Sequence, residues 1–448
     1  MSTEYDLIVI GSGPGGYVAA ERAGGHGLKT MIVEKSHLGG ICLNEGCIPS
    51  KTLLYSAKLY QQAVNGAVYG VLADGVRFDL AAAMKRKNKT MMTLRKGVAY
   101  QMKRHKVEVL TGEATFLDDQ TISVEGNTYR AKNFIVATGS SPVRPPIPGA
   151  DLPHVLTSSE IFYLEQLPEK LVIVGGGVIG MEFACFFSAV GVEVTVVEML
   201  EEVLPTFDPD LAQGLRRQMR AVTFKLGSKV ASIDAQLVTL SKGEEVETIP
   251  ADMVLMSVGR CPNTAGLGLE SAGVDIGPNG IVVDDKMQTT NPHIFAVGDV
   301  NGKSLLAHSA SRMGEVVVNN LVESDDTMRY HAVPYVVYTF PDVAACGMTE
   351  RQALAAGRKV DVAKLAMQAN CRHQAEHNRP AGMVKVVVDA ESRRLLGVHM
   401  LGTYASELIH SAAIMIEQEM KVEDIRKIIF PHPTVGEIVR DALWELPM

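Results

Sequence analysis

Two cysteines, Cys42 and Cys47, are the residues of this sequence whose type and spacing most directly suggest chemistry. Two thiols this close can form and break a disulfide, which stores and releases two electrons. On one regular helix their Cα atoms would lie about 7.5 Å apart, beyond the usual disulfide range of about 4.4–6.8 Å. The pair therefore predicts either an interrupted backbone, for which Gly46 provides freedom, or two thiols that are never oxidised.

A structural role for the pair is the competing interpretation, although a disulfide that closes so short a loop removes little entropy from the unfolded chain. A helix that begins with Pro49 is predicted directly after Cys47, and its positive end would favour a thiolate there. The remaining cysteines are scattered singly, unlike the framework of a secreted protein: Cys185, Cys261, Cys346 and Cys371. Spacing alone leaves the redox and structural interpretations both open.

The elements that must position these thiols contain one pattern twice. Each copy has an apolar strand, a glycine-rich turn, a helix and a second strand that ends in an acid. The first copy comprises strand Leu7–Ile10, glycines from Gly11 to Gly16, helix Tyr17–Ala23 and strand Thr30–Val33 before Glu34. The second comprises strand Leu171–Val174, glycines from Gly175 to Gly180, helix Met181–Ala189 and strand Val192–Val197 before Glu198.

This repeated pattern predicts two dinucleotide-binding folds. The first glycine permits the tight turn, the second lets a pyrophosphate approach the backbone, and the third lets helix and strand pack closely. The helix N-terminus binds the phosphates, and the acid accepts hydrogen bonds from ribose hydroxyls. Ordinary βαβ units with glycine turns are the alternative.

Three further strands end at positions of interest. Two are followed by Thr138-Gly139 and by Gly259, and the third, Ile294–Val297, by Gly298 and Asp299. An acid at the carboxyl end of a strand lies where open α/β sheets bind ligands, although it can also cap the next helix. The proline-rich segment 141–149 is typical of an extended linker. From about Tyr330, apolar runs such as Val384–Val388 and Leu395–Met400 predict an antiparallel sheet, and amphipathic stretches at Ala405–Glu419 and Val422–Ile429 predict helices, which together indicate an α+β domain.

Composition limits the class of protein. The chain has 448 residues, 46% of them apolar, and a net charge of −8, which predicts several globular domains and argues against nucleic acid as a partner. No apolar run approaches the ~18 residues that cross a membrane. Because a strand begins at Asp6, we expect no targeting peptide and a cytoplasmic location.

The segment from Gly39 to Lys51, reading GGICLNEGCIPSK, resembles the redox-site signature of the flavoprotein disulfide reductases, and within them most closely that of the dihydrolipoyl dehydrogenases. Phe295–Asp299 resembles their flavin ribityl motif, and Pro431–Glu437, reading PHPTVGE, resembles their C-terminal His-Pro-Thr signature. The resemblance extends over nearly the whole chain. It implies an α/β fold with two Rossmann-like domains, for FAD (1–145 and 270–325) and NAD (146–269), and a C-terminal α+β dimerisation domain (326–448).

The resemblance also assigns cofactor contacts. It implies that the first fold holds FAD through these residues: Gly11, Gly13, Gly16, Glu34, Lys51, Ala114, Thr138, Gly139, Asp299 and Ala307. It implies that the second fold holds the nicotinamide cofactor through these: Gly175, Gly177, Gly180, Glu182, Glu198 and Gly259. Residues 199–202 after Glu198 contain no arginine for a 2′-phosphate, which favours NAD over NADP. Lys51 is expected to pair with Glu182 near the flavin, with an ordinary interdomain ion pair as the alternative.

The catalytic roles follow from the same resemblance. Cys42 would exchange with substrate and Cys47 would face the flavin, while His432 acts as the base and Glu437 orients it. The implied reaction is NAD⁺-linked oxidation of protein-bound dihydrolipoamide, in a homodimer whose active sites combine two subunits. The lipoylated partner would be the acyltransferase subunit of a 2-oxo acid dehydrogenase complex or the H protein of the glycine cleavage system. The alternatives are a reductase of small disulfides, or a non-enzymatic flavin- and NAD-binding scaffold.

Five residues depart from the pattern of these relatives, among them Val435-Gly436 in place of the commoner Leu-Ser. Ser309 and Met313 stand where the relatives usually carry lysine and glutamate, and Glu45 adds a negative charge beside the thiols. None of these departures removes a residue with a catalytic role. They leave the identity of the disulfide substrate less firmly fixed than the type of reaction.

Overall fold

A computed structural model describes residues 4–322, 324–378 and 381–447. The chain divides into two compact units. The first contains residues 4–52, Ala81–Val143 and the described part of Gly259–Arg329. The second contains Leu53–Leu80, Arg144–Val258 and the described residues from Tyr330 to 447. The predicted domain boundaries stay a prediction.

The strands in chain order are β1 (Glu4–Ile10), β2 (Thr30–Glu34), β3 (Glu108–Thr111), β4 (Ala114–Phe116), β5 (Thr121–Val124), β6 (Asn127–Val136), β7 (Ser140–Pro142), β8 (Val155–Thr157), β9 (Lys170–Val174), β10 (Glu193–Glu198), β11 (Val222–Leu226), β12 (Lys229–Ile233), β13 (Leu237–Lys242), β14 (Glu245–Pro250), β15 (Met253–Met256), β16 (Arg260–Pro262), β17 (Ile276–Gly277), β18 (Gly280–Ile281), β19 (Ile294–Ala296), β20 (Pro334–Val337), β21 (Asp342–Gly347), β22 (Val360–Ala366), β23 (Met383–Asp389) and β24 (Leu395–Gly402).

The α-helices in chain order are α1 (Pro14–Gly25), α2 (Gly40–Glu45), α3 (Cys47–Val64), α4 (Leu80–Arg104), α5 (Val178–Ala189), α6 (Pro209–Gln218), α7 (Ala307–Leu321), α8 (Glu350–Ala355), α9 (Cys371–Glu376), α10 (Ala405–Glu417), α11 (Val422–Ile425) and α12 (Glu437–Trp444).

The first unit is built on a mostly parallel sheet. Strands β3, β2, β1 and β6 lie side by side and parallel, and β19 also pairs in parallel with β6. Leu7, Ile8 and Val9 of β1 are fully buried, as expected for a parallel strand covered on both faces. Helix α1 packs against α7, where a Cβ on Gly314 would lie 2.6 Å from the carbonyl oxygen of Gly15. Glycine therefore allows these two helices to approach closely.

The second unit contains a second parallel sheet, in the order β11-β10-β9-β15-β8. An antiparallel sheet of β12, β13 and β14 covers part of it, and the two share one apolar core that includes Val172, Val254, Val238 and Leu240. The prediction of two dinucleotide-type α/β folds is confirmed by these two parallel sheets and their strand order.

The same unit also contains the predicted α+β region. Strands β20-β21-β24-β23-β22 form an antiparallel sheet whose apolar face is covered by helices α10 and α12. Val384, Val386 and Val398 on that sheet are fully buried. Strands β23 and β24 are buried over almost their whole length, as expected from the apolar runs by which the sequence predicted them.

Several local predictions differ from the structure. The helix predicted to begin with Pro49 begins at Cys47. The helix predicted over Val422–Ile429 ends at Ile425, because Lys427 and Ile428 then bond to carbonyls three residues back and continue as turns. In the predicted linker, Ser140–Pro142 instead forms strand β7, which pairs antiparallel with β16.

Candidate redox active site

Cys42 and Cys47 form a disulfide, with their Cα atoms 4.6 Å apart. The pair is not on one regular helix, because α2 ends at Glu45, Gly46 leaves the helical conformation with φ −150° and ψ −108°, and α3 begins at Cys47. The interrupted backbone predicted at Gly46 is therefore confirmed, and the alternative of two thiols that cannot pair is excluded. Both cysteines are partly exposed, so a substrate disulfide or dithiol can reach them.

The segment before the disulfide packs directly on the first glycine turn. Gly40 has φ +59°, and a Cβ there would lie 2.5 Å from the Cα of Gly13. The backbone N–H of Gly39 donates to the carbonyl oxygen of Ser12 at 3.0 Å. These contacts lie just before Cys42, so the segment that carries the thiols is attached to the turn predicted to bind a dinucleotide.

Asn44 fixes the conformation of the loop, and sequence analysis gave this residue no role. Its side-chain amide donates to the carbonyl oxygens of His37, Leu38 and Gly40 at 3.3, 3.2 and 2.8 Å. Its carbonyl oxygen accepts a hydrogen bond from Arg95 on α4. The side chain is buried, so its hydrogen bonds are satisfied entirely within the protein. The sequence offers no local signal for this role, because the contact with Arg95 forms only in the folded chain.

The first glycine turn has the features that a dinucleotide requires. Gly11 has φ +100°, and a Cβ on Gly16 would lie 2.0 Å from the carbonyl oxygen of Gly11, so neither position accepts a larger residue. At Gly13, which caps the N-terminus of α1, a Cβ would meet nothing within 4 Å. The residues therefore fit a pyrophosphate, because the helix N-terminus faces open space in front of Gly13.

Glu34, at the end of β2, binds back to this turn. Its carboxylate accepts hydrogen bonds from the backbone N–H and hydroxyl of Ser12 and from the backbone N–H of Ser36. The sequence assigned Glu34 to a ribose, and the structure adds that the same carboxylate fixes the turn. Its role toward a ribose stays a prediction.

The second glycine turn repeats this arrangement. Gly175 has φ +103°, a Cβ on Gly180 would lie 2.1 Å from the carbonyl oxygen of Gly175, and a Cβ on Gly177 would meet nothing within 4 Å. Glu198 accepts from the backbone N–H groups of Gly176 at 2.7 Å and Leu200 at 2.9 Å. The two copies found in the sequence thus match in three dimensions, and the second also fits a dinucleotide.

Asp299 lies in a short helical turn after β19 and belongs to a buried polar group. Its carboxylate accepts from the hydroxyl of Ser140 at 2.5 Å, and Ser140 also accepts from Arg260 Nε at 2.7 Å. Burial lowers the pKa of Arg260, against the opposing effect of Asp299 and Glu45. Asp299 follows the carboxyl end of the parallel strand β19, the kind of edge at which open α/β sheets bind ligands, and it is held there by the first residues of β7 and β16.

The other residues assigned to cofactors occupy several elements. In the first unit, the Thr138 hydroxyl donates to the Asn263 carbonyl oxygen at 2.8 Å, Gly139 has φ +69°, and the Gly259 carbonyl oxygen accepts from Val143. Ala114 is buried on β4, and Ala307 is the first residue of α7. Lys51 lies on α3, one turn beyond Cys47. These assignments, and the Lys51–Glu182 pair, stay predictions.

The departures at Ser309 and Met313 are both buried, on the inner face of α7. The sulfur of Met313 accepts from the backbone N–H of Gly298 at 3.2 Å and from the Asn301 amide at 3.5 Å. In the second unit, Glu182 is buried on α5 and accepts from the backbone N–H of Tyr338 at 3.1 Å. Met313 therefore serves as an acceptor for the segment that contains Asp299.

His432 and Glu437 form the predicted pair. The imidazole Nδ1 lies 3.1 Å from Oε1 and 3.2 Å from Oε2 of Glu437. The His432 side chain is 70% exposed, whereas the Glu437 side chain is 7% exposed. An exposed imidazole oriented by a buried carboxylate is the arrangement of a general base, with Nε2 directed away from its partner.

Glu437 is held as a carboxylate by its own neighbours. The backbone N–H of Thr434 donates to Oε2 at 2.9 Å, and Arg440 lies 3.5 Å from Oε1. Chiefly the Thr434 hydrogen bond, and then His432 and Arg440, hold the pKa of Glu437 below its ordinary value despite burial. The residue is thus charged at neutral pH and can stabilise a protonated His432.

The remaining cysteines separate into two classes. Burial raises the pKa of Cys185 and of Cys346 to about 12, so these thiols stay protonated. Cys261 and Cys371 are exposed. Cys371 lies beside His432.

With this geometry, the class of protein can be stated. Residues 5–314 match the pyridine nucleotide-disulphide oxidoreductase family, and residues 333–443 match the dimerisation domain of the same family. The chain belongs to the pyridine nucleotide-disulphide oxidoreductase family, whose domains use FAD and NAD. The fold class and cofactors predicted from the sequence are thereby confirmed.

Individual relatives define the subgroup. The chain is similar to the mitochondrial dihydrolipoyl dehydrogenase of Schizosaccharomyces pombe, with 39% identity over 98% of this chain and 89% of the relative. The dihydrolipoyl dehydrogenase of Chlorobaculum parvum is 37% identical, over 99% of this chain and 97% of the relative. Among solved structures, the HOCl-induced flavoprotein disulfide reductase of Escherichia coli superposes with a TM-score of 0.88 and 29% identity, over 98% of this chain and 100% of that chain.

Within the described part of the chain, every helix is too short or too polar to span a lipid bilayer.

Proposed function

We propose that this protein oxidises dihydrolipoamide on a carrier protein to lipoamide and reduces NAD⁺ to NADH. The observation that carries the proposal is the Cys42–Cys47 disulfide, partly exposed and built onto a dinucleotide turn. The His432–Glu437 pair and the similarity to dihydrolipoyl dehydrogenases over nearly the whole chain support it.

In the first step, a substrate thiolate attacks Cys42 and breaks the Cys42–Cys47 bond. The second substrate thiol then displaces Cys42, so that lipoamide leaves with a new S–S bond and the enzyme holds two reduced cysteines. Cys47 is the first residue of the 18-residue helix α3. The positive end of this helix stabilises the thiolate left on Cys47.

His432 supplies the proton transfer that this exchange requires. A dithiol is a poor nucleophile until one thiol loses its proton, and an exposed imidazole accepts that proton at Nε2. Glu437 holds the ring through Nδ1 and stabilises the positive charge that develops. His432 therefore takes the proton from the substrate itself, whereas Glu437 acts only by orienting and stabilising His432.

When bound, FAD would supply the redox chemistry that carries the electron pair from the reduced cysteines to NAD⁺. Gly11, Gly13 and Gly16 with α1 would hold the pyrophosphate of FAD, and Asp299 its ribityl chain. Gly175, Gly177 and Gly180 with α5 would hold that of NAD⁺. No arginine occurs in residues 199–202 after Glu198, which agrees with NAD⁺ rather than NADP⁺.

We further propose a homodimer in which His432 of each subunit serves the disulfide of its partner. The dimerisation domain at residues 333–443 supports a dimer, and His432 lies in that segment. The lipoylated partner would be a separate acyltransferase subunit or glycine cleavage H protein.

The decisive experiment is a titration of the purified protein with dihydrolipoamide, followed by visible absorbance. We expect bound flavin and a long-wavelength thiolate–flavin band that develops at two electrons per subunit. Steady-state turnover with dihydrolipoamide and NAD⁺ should exceed turnover of NADPH with glutathione disulfide or coenzyme A disulfide. Turnover that is faster with NADPH and a small disulfide would instead support the second candidate, a small-disulfide reductase, which the likeness to the Escherichia coli flavoprotein disulfide reductase favours. Full turnover by a Cys47→Ser variant would contradict any role for the disulfide, whereas bound flavin without turnover of any dithiol or disulfide would favour the scaffold interpretation.

A further inference from the structure

Three side chains of the kinds that bind transition metals come together at the surface beside the proposed base. One donor atom each from Cys371, His432 and Glu437 lies within 4.8 Å of the other two. Cys371 and His432 are exposed, and Glu437 is buried. The sequence gave no reason to connect Cys371 with the other two, because about sixty residues separate it from them.

The position of Cys371 is fixed by a bond to the loop that contains His432. Cys371 is the first residue of α9, and the preceding Asn370 caps this helix by accepting from the backbone N–H of His373 at 2.9 Å. The Asn370 amide also donates to the carbonyl oxygen of Thr434 at 2.9 Å. Asn370 is buried, so its amide joins the cysteine and the histidine loop through a hydrogen bond protected from water.

The donor set matches a borderline-soft cation. Zinc binds cysteine sulfur at about 2.3 Å, histidine nitrogen at about 2.0–2.1 Å and carboxylate oxygen at about 2.0–2.2 Å in a tetrahedron. Two ligands of one such ion lie about 3.3–3.6 Å apart, and His432 Nδ1 and Glu437 Oε1 are already 3.1 Å apart. The cysteine sulfur has to move inward by about 1 Å, which a rotation of an exposed side chain can supply.

We propose that Cys371, His432 and Glu437 form a zinc-binding site that, when occupied, withdraws His432 from catalysis. Three protein ligands leave a fourth position for water, as in open zinc sites. With the ion on Nδ1, the proton of the neutral ring lies on Nε2, so Nε2 no longer has the lone pair with which His432 would accept a proton from substrate. The inhibitory consequence rests on the proposed function of His432, whereas the binding itself does not.

The first test measures zinc binding to the oxidised, FAD-loaded protein, in which Cys42 and Cys47 are held as a disulfide and are not available as thiolates. Isothermal titration should give one site per subunit. Cys371→Ser should weaken binding by at least about tenfold, as loss of a contact to the metal does. Cys261→Ser, which removes the other exposed free thiol, is the matched control and should leave the affinity unchanged. Equal binding by the wild type and Cys371→Ser overturns the proposal.

A second measurement needs no variant. Iodoacetamide alkylation of the oxidised wild type, read by peptide mass spectrometry, should slow at Cys371 when zinc is added and stay unchanged at Cys261. Zinc-edge X-ray absorption should show one sulfur at about 2.3 Å together with nitrogen or oxygen ligands. A shell without sulfur, or equal protection of both cysteines, overturns the site.

The third test addresses the consequence. Zinc should inhibit dihydrolipoamide oxidation in proportion to occupancy, and should spare electron transfer from NADH to ferricyanide, which requires no base. Each variant is compared with its own activity without metal. Sulfur-ligated zinc that leaves dihydrolipoamide oxidation untouched overturns the inhibitory role. A protein that binds zinc through Cys371 but never oxidises dihydrolipoamide contradicts the proposed function and leaves the metal site standing.

Discussion

Glu437→Gln is the substitution that most directly tests how the base is built. It replaces a carboxylate 3.1 Å from His432 Nδ1 with a neutral group of the same shape. Two unit charges at that separation attract by about 1.3 kcal/mol at the dielectric constant of water and about 5 kcal/mol at an effective value of about 20. Since the His432 side chain is 70% exposed, screening by solvent favours the lower part of that range.

We therefore expect Glu437→Gln to lower kcat/KM for dihydrolipoamide about 10–100-fold, which corresponds to roughly 1.4–2.7 kcal/mol. The loss should be smaller than that of His432→Gln, for which about 10²–10⁴-fold is the usual effect of a missing general base.

The assay measures dihydrolipoamide oxidation and NADH–ferricyanide activity in the same preparations. Only the first should fall in Glu437→Gln. Glu445→Gln, an exposed glutamate just after the same helix α12, controls for loss of a negative charge in this region. The reasoning is refuted if both glutamate variants behave alike, or if the two activities of Glu437→Gln fall in parallel.

Three further predictions concern the cofactor turn, the core and the thiols. Gly16→Ala should lose flavin and thermal stability, because its Cβ would lie 2.0 Å from a carbonyl oxygen. Gly13→Ala, whose Cβ would meet nothing within 4 Å, should keep its fold and lose only affinity for flavin. Flavin release and melting curves check both. Lys385→Met should lower the free energy of unfolding by about 3–5 kcal/mol, because three carboxylates contact this buried ammonium group. Lys364→Met removes a more exposed ion pair and should lower it by about 1 kcal/mol or less. Thermal unfolding measures the difference. Cys47→Ser should abolish dihydrolipoamide oxidation and keep NADH–ferricyanide activity.

Each of these has a contradicting result and, for the lysine, a pH dependence. Burial alone would lower the pKa of Lys385, but hydrogen bonds to Asp208, Glu350 and Asp210 raise this pKa above its ordinary value. Its stabilising contribution is therefore complete below the unfolded value of about 10.5 and is lost as pH rises through the folded value.

Equal melting temperatures of the two lysine variants, equal flavin loss with equal stability in the two glycine variants, or dihydrolipoamide turnover by Cys47→Ser would each contradict the corresponding argument.

The sequence predicts well those features whose cause lies in a short stretch of chain. The two glycine turns, the acids that end their second strands and the broken backbone at Gly46 all follow from local geometry. The His432–Glu437 pair also depends on a short stretch of chain, because its two members are only five residues apart.

Features that depend on long-range contacts were not predictable from sequence pattern alone. Asn44 contacts Arg95, and Asn370 contacts Thr434, across 51 and 64 residues. Only the folded chain brings such partners together, and neither asparagine differs in type from many that cap turns on a surface. For the same reason, Cys371 looks isolated in the sequence although it lies beside His432.

The contact between Gly40 and Gly13 links two parts of the protein with different functions. One belongs to the peptide that changes its oxidation state, and the other to the cradle for a nucleotide. A methyl group on Gly40 would lie 2.5 Å from the Cα of Gly13, whereas one on Gly13 would meet nothing within 4 Å, so the Gly40 peptide cannot be enlarged without displacing Gly13. An engineer who wishes to retune the thiols by altering the backbone near Gly40 must therefore redesign the cradle at the same time.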